Sequence, residues 1–158
     1  MHWKSHRSWP AFSVSCLMLF ASALRAEEGH YYGIVESFGG GEVVVKTTQH
    51  STGHWKIGPE SRIEGSIARF DWVGVQLGRA GFVAVLRFEE RPAGRAGVVH
   101  GIHGRVLTVR SGSDTETWNL TEETIGAGEG VAVGDEIGAR LYRNHNLAEI
   151  HVIKHGVH

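Results

Sequence analysis

The chain has 158 residues, with 17 acidic and 16 basic side chains, 22 glycines, three prolines and one cysteine. A formal net charge of −1 with histidine neutral excludes the basic footprint of a nucleic-acid binder. A single cysteine excludes an intrachain disulfide framework, so stability has to come from packing.

The first segment reads as a leader. Lys4 and Arg7 make a short basic start, an apolar run over residues 11–24 follows, and small residues lead up to Ala23 and Ala26. That is the three-part layout of a secretory signal peptide. The run is also shorter than the roughly 20 apolar residues needed to span a bilayer. Cleavage is expected after Ala26, with Ala23 as the alternative. Lipidation at Cys16 would leave an apolar stretch too short for a normal leader. Removing residues 1–26 leaves 132 residues with 13 basic and 17 acidic side chains, no cysteine and no methionine.

The mature chain then repeats itself. Gly33-Ile34-Val35 is followed 64 positions later by Gly97-Val98-Val99, and Val43-Val44-Val45-Lys46-Thr47 by Leu107-Thr108-Val109-Arg110-Ser111. Trp55-Lys56-Ile57 meets Trp118-Asn119-Leu120, and Ser61-Arg62-Ile63 meets Thr124-Ile125. Val73-Gly74-Val75 is set beside Val133-Gly134-Asp135, and residues 82–88 beside residues 147–153. The units are placed at residues 31–90 and 97–155. Residues 91–96, around Pro92 and Gly94, are read as a linker.

Each unit predicts short strands rich in Val, Ile, Phe and Trp, separated by turn residues. Gly39-Gly40-Gly41 and His103-Gly104 turn the first hairpins, and Ser111-Gly112-Ser113-Asp114 turns a second. Arg79-Ala80-Gly81 and Arg143-Asn144-His145-Asn146 turn the last ones. A helical turn is allowed only around residues 122–125. A sheet of about 60 residues exposes its edges unless it curls shut. The expected fold is therefore all-β: two tandem small OB-like β-barrels after a cleaved signal peptide.

The second unit resembles a family of exported bacterial domains of unknown function, often written DUF5666. The resemblance rests on Gly97-Val98-Val99, Arg105-Val106-Leu107-Thr108-Val109, Thr124-Ile125, Val133-Gly134-Asp135-Glu136-Ile137 and Ala148-Glu149-Ile150. In the first unit, Val75 is taken to replace the aspartate after Val-Gly. The resemblance implies a fold and an exported setting, and it brings no catalytic residues. A looser similarity links the strand rhythm to small periplasmic copper-binding barrels of the CusF type. Those use methionine, which the mature chain lacks, so no Cu(I) site of that kind is expected.

Histidine is the candidate for metal chemistry, with nine residues in the mature chain. His50 and His54 flank Ser51-Thr52-Gly53 and are expected to face each other across a hairpin. His145, His151 and His155 are the other candidate ligands for Zn(II) or Cu(II). On an extended strand, four residues span about 13 Å, too far for one ion. His151 and His155 would therefore need a turn after Lys154. Solvated surface histidine is the competing reading. Trp55 and Trp118, equivalent across the units, read as core or seam. Phe70 and Trp72, which flank Asp71 in the first unit only, mark an exposed partner surface or a contact between the barrels.

Asp71, Glu89, Glu90, Glu122 and Glu123 have no supporting catalytic motif. The chain also carries no Gly-x-Ser-x-Gly, His-Glu-x-x-His or phosphate-binding loop. The functional expectation is a non-enzymatic module, periplasmic or secreted, that binds an unknown envelope protein or polymer. It would have no nucleic-acid partner, no cofactor and no transmembrane segment in the mature chain. The alternative is a periplasmic Zn(II)- or Cu(II)-binding protein.

Overall fold

The computed structural model describes residues 29–127 and 130–156. The expected signal peptide and its cleavage site lie outside the described residues. Among those residues, no helix is long and apolar enough to cross a membrane.

Glu42-Val43-Val44-Val45-Lys46-Thr47 shows how the strands form. β-branched residues favour extended backbone, and alternate side chains point to opposite faces. Val43 and Val45 are accordingly buried, while Glu42 faces solvent. The first sheet contains β1 (His30–Gly39), β2 (Glu42–Thr47), β3 (Thr52–Lys56), β4 (Arg62–Glu64), β5 (Trp72–Leu77) and β6 (Val83–Glu90). Its order is β3-β2-β1-β5-β6-β4. The second contains β7 (Ala93–His103), β8 (Val106–Ser111), β9 (Asp114–Asn119), β10 (Glu136–Leu141) and β11 (Leu147–Lys154), in the order β11-β10-β7-β8-β9.

The protein is all-β with two sheets of OB-like strand order. Three strands meander, and the first of them also pairs with the fourth long strand. The two ends of each sheet meet at one parallel bridge, Lys56 with Phe82 and Asn119 with Asn146. Each sheet thus curls around its core without a continuous ladder at the join. A second parallel contact recurs as well: β4 runs beside β6, and Ile125 bridges Glu149.

Two sequence expectations change here. Residues 93–96, expected as linker, form the start of β7 and pair with β10, because β7 must extend as far upstream as β1 does to cover the same neighbour. Residues 122–125 form no helical turn. Ile125 there exchanges backbone hydrogen bonds with the second sheet, its N–H reaching the Ala148 carbonyl at 3.0 Å. The Arg79–Gly81 segment is a short 3-10 turn.

The cores superpose by sequence offset. Val35, Val43, Val45, Val73, Val75, Val83 and Leu86 fill the first sheet. Val99, Leu107, Val109, Ile137, Ala139, Leu147 and Ile150 fill the second, each 64 positions later. Trp118 is fully buried in the second core, whereas Trp55 is half-buried against Tyr31, with ring centroids 5.1 Å apart. A β-bulge falls between Val35 and Ser37 in one sheet and between Val99 and Gly101 in the other.

The constant offset corrects one alignment. β5 and β10 place Val73 opposite Gly33 and Ile137 opposite Gly97, so Val73 corresponds to Ile137 and not to Val133. Asp71 therefore occupies the place of Asp135. The first unit has kept its aspartate, and Val75 replaces nothing.

Candidate functional site

The residues shared by both units first explain how each unit holds itself together. In Ala68-Arg69-Phe70-Asp71 and Ala132-Val133-Gly134-Asp135, the aspartate closes a turn. The N–H of Ala68 donates to Asp71 Oδ2 at 2.8 Å, and that of Ala132 to Asp135 Oδ2 at 2.8 Å. Both aspartates are buried, and a buried carboxylate needs partners for its remaining lone pairs. Arg91 supplies them to Asp71 through two hydrogen bonds of 2.8 and 2.7 Å. At Asp135 the equivalent partners are the Gly156 N–H at 3.0 Å and His155 Nδ1 at 3.3 Å. The donated Ala132 and Gly156 hydrogen bonds, with His155 adding to them, hold the Asp135 carboxyl below its ordinary value.

Ser61 and Thr124 form a second shared pair. Ser61 Oγ accepts from the Gly58 N–H and donates to the Val83 carbonyl. Thr124 Oγ1 accepts from the Thr121 N–H at 2.9 Å and donates to the Leu147 carbonyl at 2.7 Å. Ser61 and Thr124 satisfy backbone groups beside the join of each sheet. Sequence reading set Ser61 beside Thr124 without giving them a role, and it missed the aspartate pair. The constant 64-residue offset was the signal that would have found that pair.

Phe70 and Trp72 sit in the seam between the sheets. Ile34 and Phe70 from the first unit pack on Tyr142 and Ala148 from the second, with Trp72 and Ile125 against them. Tyr142 Oη donates to the Phe70 carbonyl at 2.6 Å, and the Trp72 and Tyr142 rings meet edge to face at 5.9 Å. Arg69 and Arg140 stand over the Phe70 ring at 4.6 and 5.0 Å from its centroid. Burial, with the charges of Asp71 and Glu90 nearby, pushes the Tyr142 phenol well above its ordinary value. Of the two readings of Phe70 and Trp72, the structure shows the contact between the units and not the exposed partner surface: the second unit covers their apolar rings.

Polar contacts rim the seam. The Arg143 N–H donates to Glu90 Oε1 at 2.7 Å, and Lys46 Nζ reaches the Thr124 carbonyl at 3.4 Å. His50 Nδ1 touches the Glu122 carboxylate, which also pairs with Arg105 at 3.1 Å.

The five histidine candidates are distributed over separate places. His50 is in the β2–β3 turn at φ 62°, against Glu122. His54 lies on β3 opposite Val44, 3.6 Å from Glu42 Oε1. They do not face each other across a hairpin, since the strand partner of His54 is on β2 and His50 belongs to the turn. His145 holds the β10–β11 turn at φ 64°. His151 is on β11 opposite Gly138, and its ring covers that glycine. His155 lies just beyond β11, its Nδ1 3.3 Å from Asp135 Oδ1. Among the described residues, no three His, Cys, Asp or Glu side chains are grouped to hold a metal ion.

Open concavities remain on the surface. One groove of about 450 Å³ is lined by Gly58, Pro59, Ser61, Arg79, Phe82 and Ala84 at the outer end of the first unit.

No family model matches the chain, and no curated protein matches it. Among solved structures it is similar to "drosophila Unr CSD456", at 12% sequence identity and a TM-score of 0.32. The alignment covers 79% of this chain and 59% of that one, so this chain spans less than two thirds of the structure it matches. The fold assignment rests on the strand pairing described above.

Proposed function

We propose that the chain is an exported, non-enzymatic binding or assembly module of a bacterial cell envelope. The observation that supports this best is the use made of its shared residues. The side chains common to both units, Asp71 with Asp135 and Ser61 with Thr124, are occupied by backbone hydrogen bonds. What is left free among the described residues is surface: the open Phe82 groove and exposed apolar residues such as Val98 and Val133. Apolar surface left exposed on a small domain is chemistry for recognition. The export half of the reading rests on the leader-like residues 1–26.

The test is fractionation of the native host with mass spectrometry of the chain's amino terminus, followed by cross-linking in intact envelopes. A mature chain beginning at Glu27 in the periplasm or medium, cross-linked to an envelope component, would support the reading. An uncleaved chain in the cytoplasm, or a mature chain that cross-links to no envelope component, would overturn it.

A further inference from the structure

The seam that joins the two units has two halves, and the repeat supplies a second copy of each. One half lies on the first unit and consists of Ile34, Arg69, Phe70 and Trp72. Sixty-four positions later stand Val98, Val133, Gly134 and Glu136, at the outer end of the second unit. Val98 is 39% and Val133 48% exposed. The other half lies on the second unit and includes Thr121, Tyr142 and Ala148. Its counterparts are Gly58, 63 positions before Thr121, and Gly78 and Ala84, 64 before Tyr142 and Ala148; they line the open groove beside Phe82, itself 41% exposed. Among the described residues, each outer end therefore presents an unpaired half of a contact that the chain already makes once internally.

We propose that copies of this chain associate head to tail, with the Val98–Val133 end of one copy seated in the Phe82 groove of the next. The side chains at the two free halves differ from the internal ones in a complementary way. Within the chain, the aromatic bulk projects from the first half as Phe70 and Trp72. At the free ends that half carries Gly134 and Glu136, while the groove carries Phe82 where the internal one has Asn146. Asn146 shares a groove with Ile34 and Trp72, so Phe82 would lie against Val98 and Glu136. The aromatic ring has changed sides, and the space vacated by Trp72 receives it.

Charge is compatible over part of the rim. Lys46, which reaches the Thr124 carbonyl in the seam, is matched by exposed Arg110, and Glu60 stands next to Ser61, the counterpart of Thr124. The Glu90–Arg143 contact has no equivalent, because Lys154 and Arg79 occupy those places. The contact between copies is therefore weaker than the internal seam. Since its two faces differ, it is heterologous and does not close on itself as a two-fold dimer would. Growth by addition of like units is the behaviour of stacked repeats. The inference rests on the repeat geometry and is independent of the compartment in which the chain works.

Sedimentation velocity over a wide range of concentrations tests it, with folding of each variant checked by circular dichroism. The wild-type chain is expected to grow past a dimer as concentration rises, without a plateau. Phe82→Asp and Val133→Asp should each weaken association by ~10-fold or more, the loss of one good contact. Mixing the two variants should give a one-to-one dimer and nothing larger, because each retains one intact end. A wild-type chain that stays monomeric, a closed dimer, or association that both substitutions leave unchanged would overturn the proposal.

Discussion

Phe70 holds a backbone conformation that ordinary side chains avoid, at φ 72°. Its counterpart Gly134 adopts φ 95° without a side chain to object. The first unit accepts this strain, which comes from the Cβ, because the ring it carries fills the seam. The Phe70 side chain can therefore be separated from its backbone by two substitutions. Phe70→Ala and Phe70→Gly both lose the ring, but only glycine also relieves the left-handed backbone, which costs other residues about 1–2 kcal/mol. In urea denaturation, Phe70→Gly is expected to be more stable than Phe70→Ala by about 1 kcal/mol. Glycine as the less stable of the two would show that the turn is not held in this conformation.

At the same scale, Asp135 links the fold to pH. Its folded carboxyl lies below the ordinary value of 3.8, chiefly because the Ala132 and Gly156 N–H groups donate to it. A carboxylate depressed on folding adds stability at pH above its unfolded value, and that contribution disappears as pH falls through the folded value. The melting temperature of Asp135→Asn should therefore sit below wild type at neutral pH. The gap should narrow as the solution is acidified below about pH 4. A gap that stays constant from neutral to strongly acidic solution would contradict this.

Among the elements, the bulged first strand of each unit sets the curvature. Gly33 and Gly97 occupy equivalent places two residues before Val35 and Val99, where the bulges begin. A methyl group at Gly33 would run into the Lys46 carbonyl, and one at Gly97 into that of Arg110. Backbone carbonyls in a paired ladder cannot move aside cheaply. Gly33→Ala and Gly97→Ala are each expected to cost about 1–3 kcal/mol, the usual penalty for overpacking, measured by chemical denaturation. Alanine tolerated at either position would mean that the neighbouring strand is not so closely applied.

Much of this element layout was legible in the sequence. The hydrophobic alternation of residues 43–47 and 107–111 and the glycine-rich turns predicted strands that the structure contains. The register of the fourth long strand was not. Val73-Gly74 and Val133-Gly134 look alike as dipeptides, yet Val73 is a core wall residue and Val133 lies in an exposed turn. That local similarity masks the 64-residue offset of the core, and with it the Asp71–Asp135 correspondence. At the start of β7, Pro92 and Gly94 suggest a break across residues 93–96 that the structure does not contain. Pro92 falls in the gap before β7, and Gly94 takes part in the ladder.

Over the whole molecule, the seam decides what is surface. It was the least legible feature, since it joins Phe70 to Tyr142 across 72 positions and needs both units folded before the pairing exists. From sequence alone, an aromatic pair flanking an aspartate supports either a partner surface or an internal contact. The structure assigns the aromatics to the internal contact, and the free surface moves to the Phe82 groove and the Val98–Val133 end.

The central claim is that two equivalent units are bound through Phe70, Trp72 and Tyr142, and a double-mutant cycle tests it most directly. Trp72→Ala, Tyr142→Ala and the double variant would be unfolded in urea and their stabilities compared. Contact across the seam predicts a coupling of roughly 0.5–1.5 kcal/mol, the range for paired aromatic rings. Additive losses, with no coupling between the two positions, would mean that the units do not meet there.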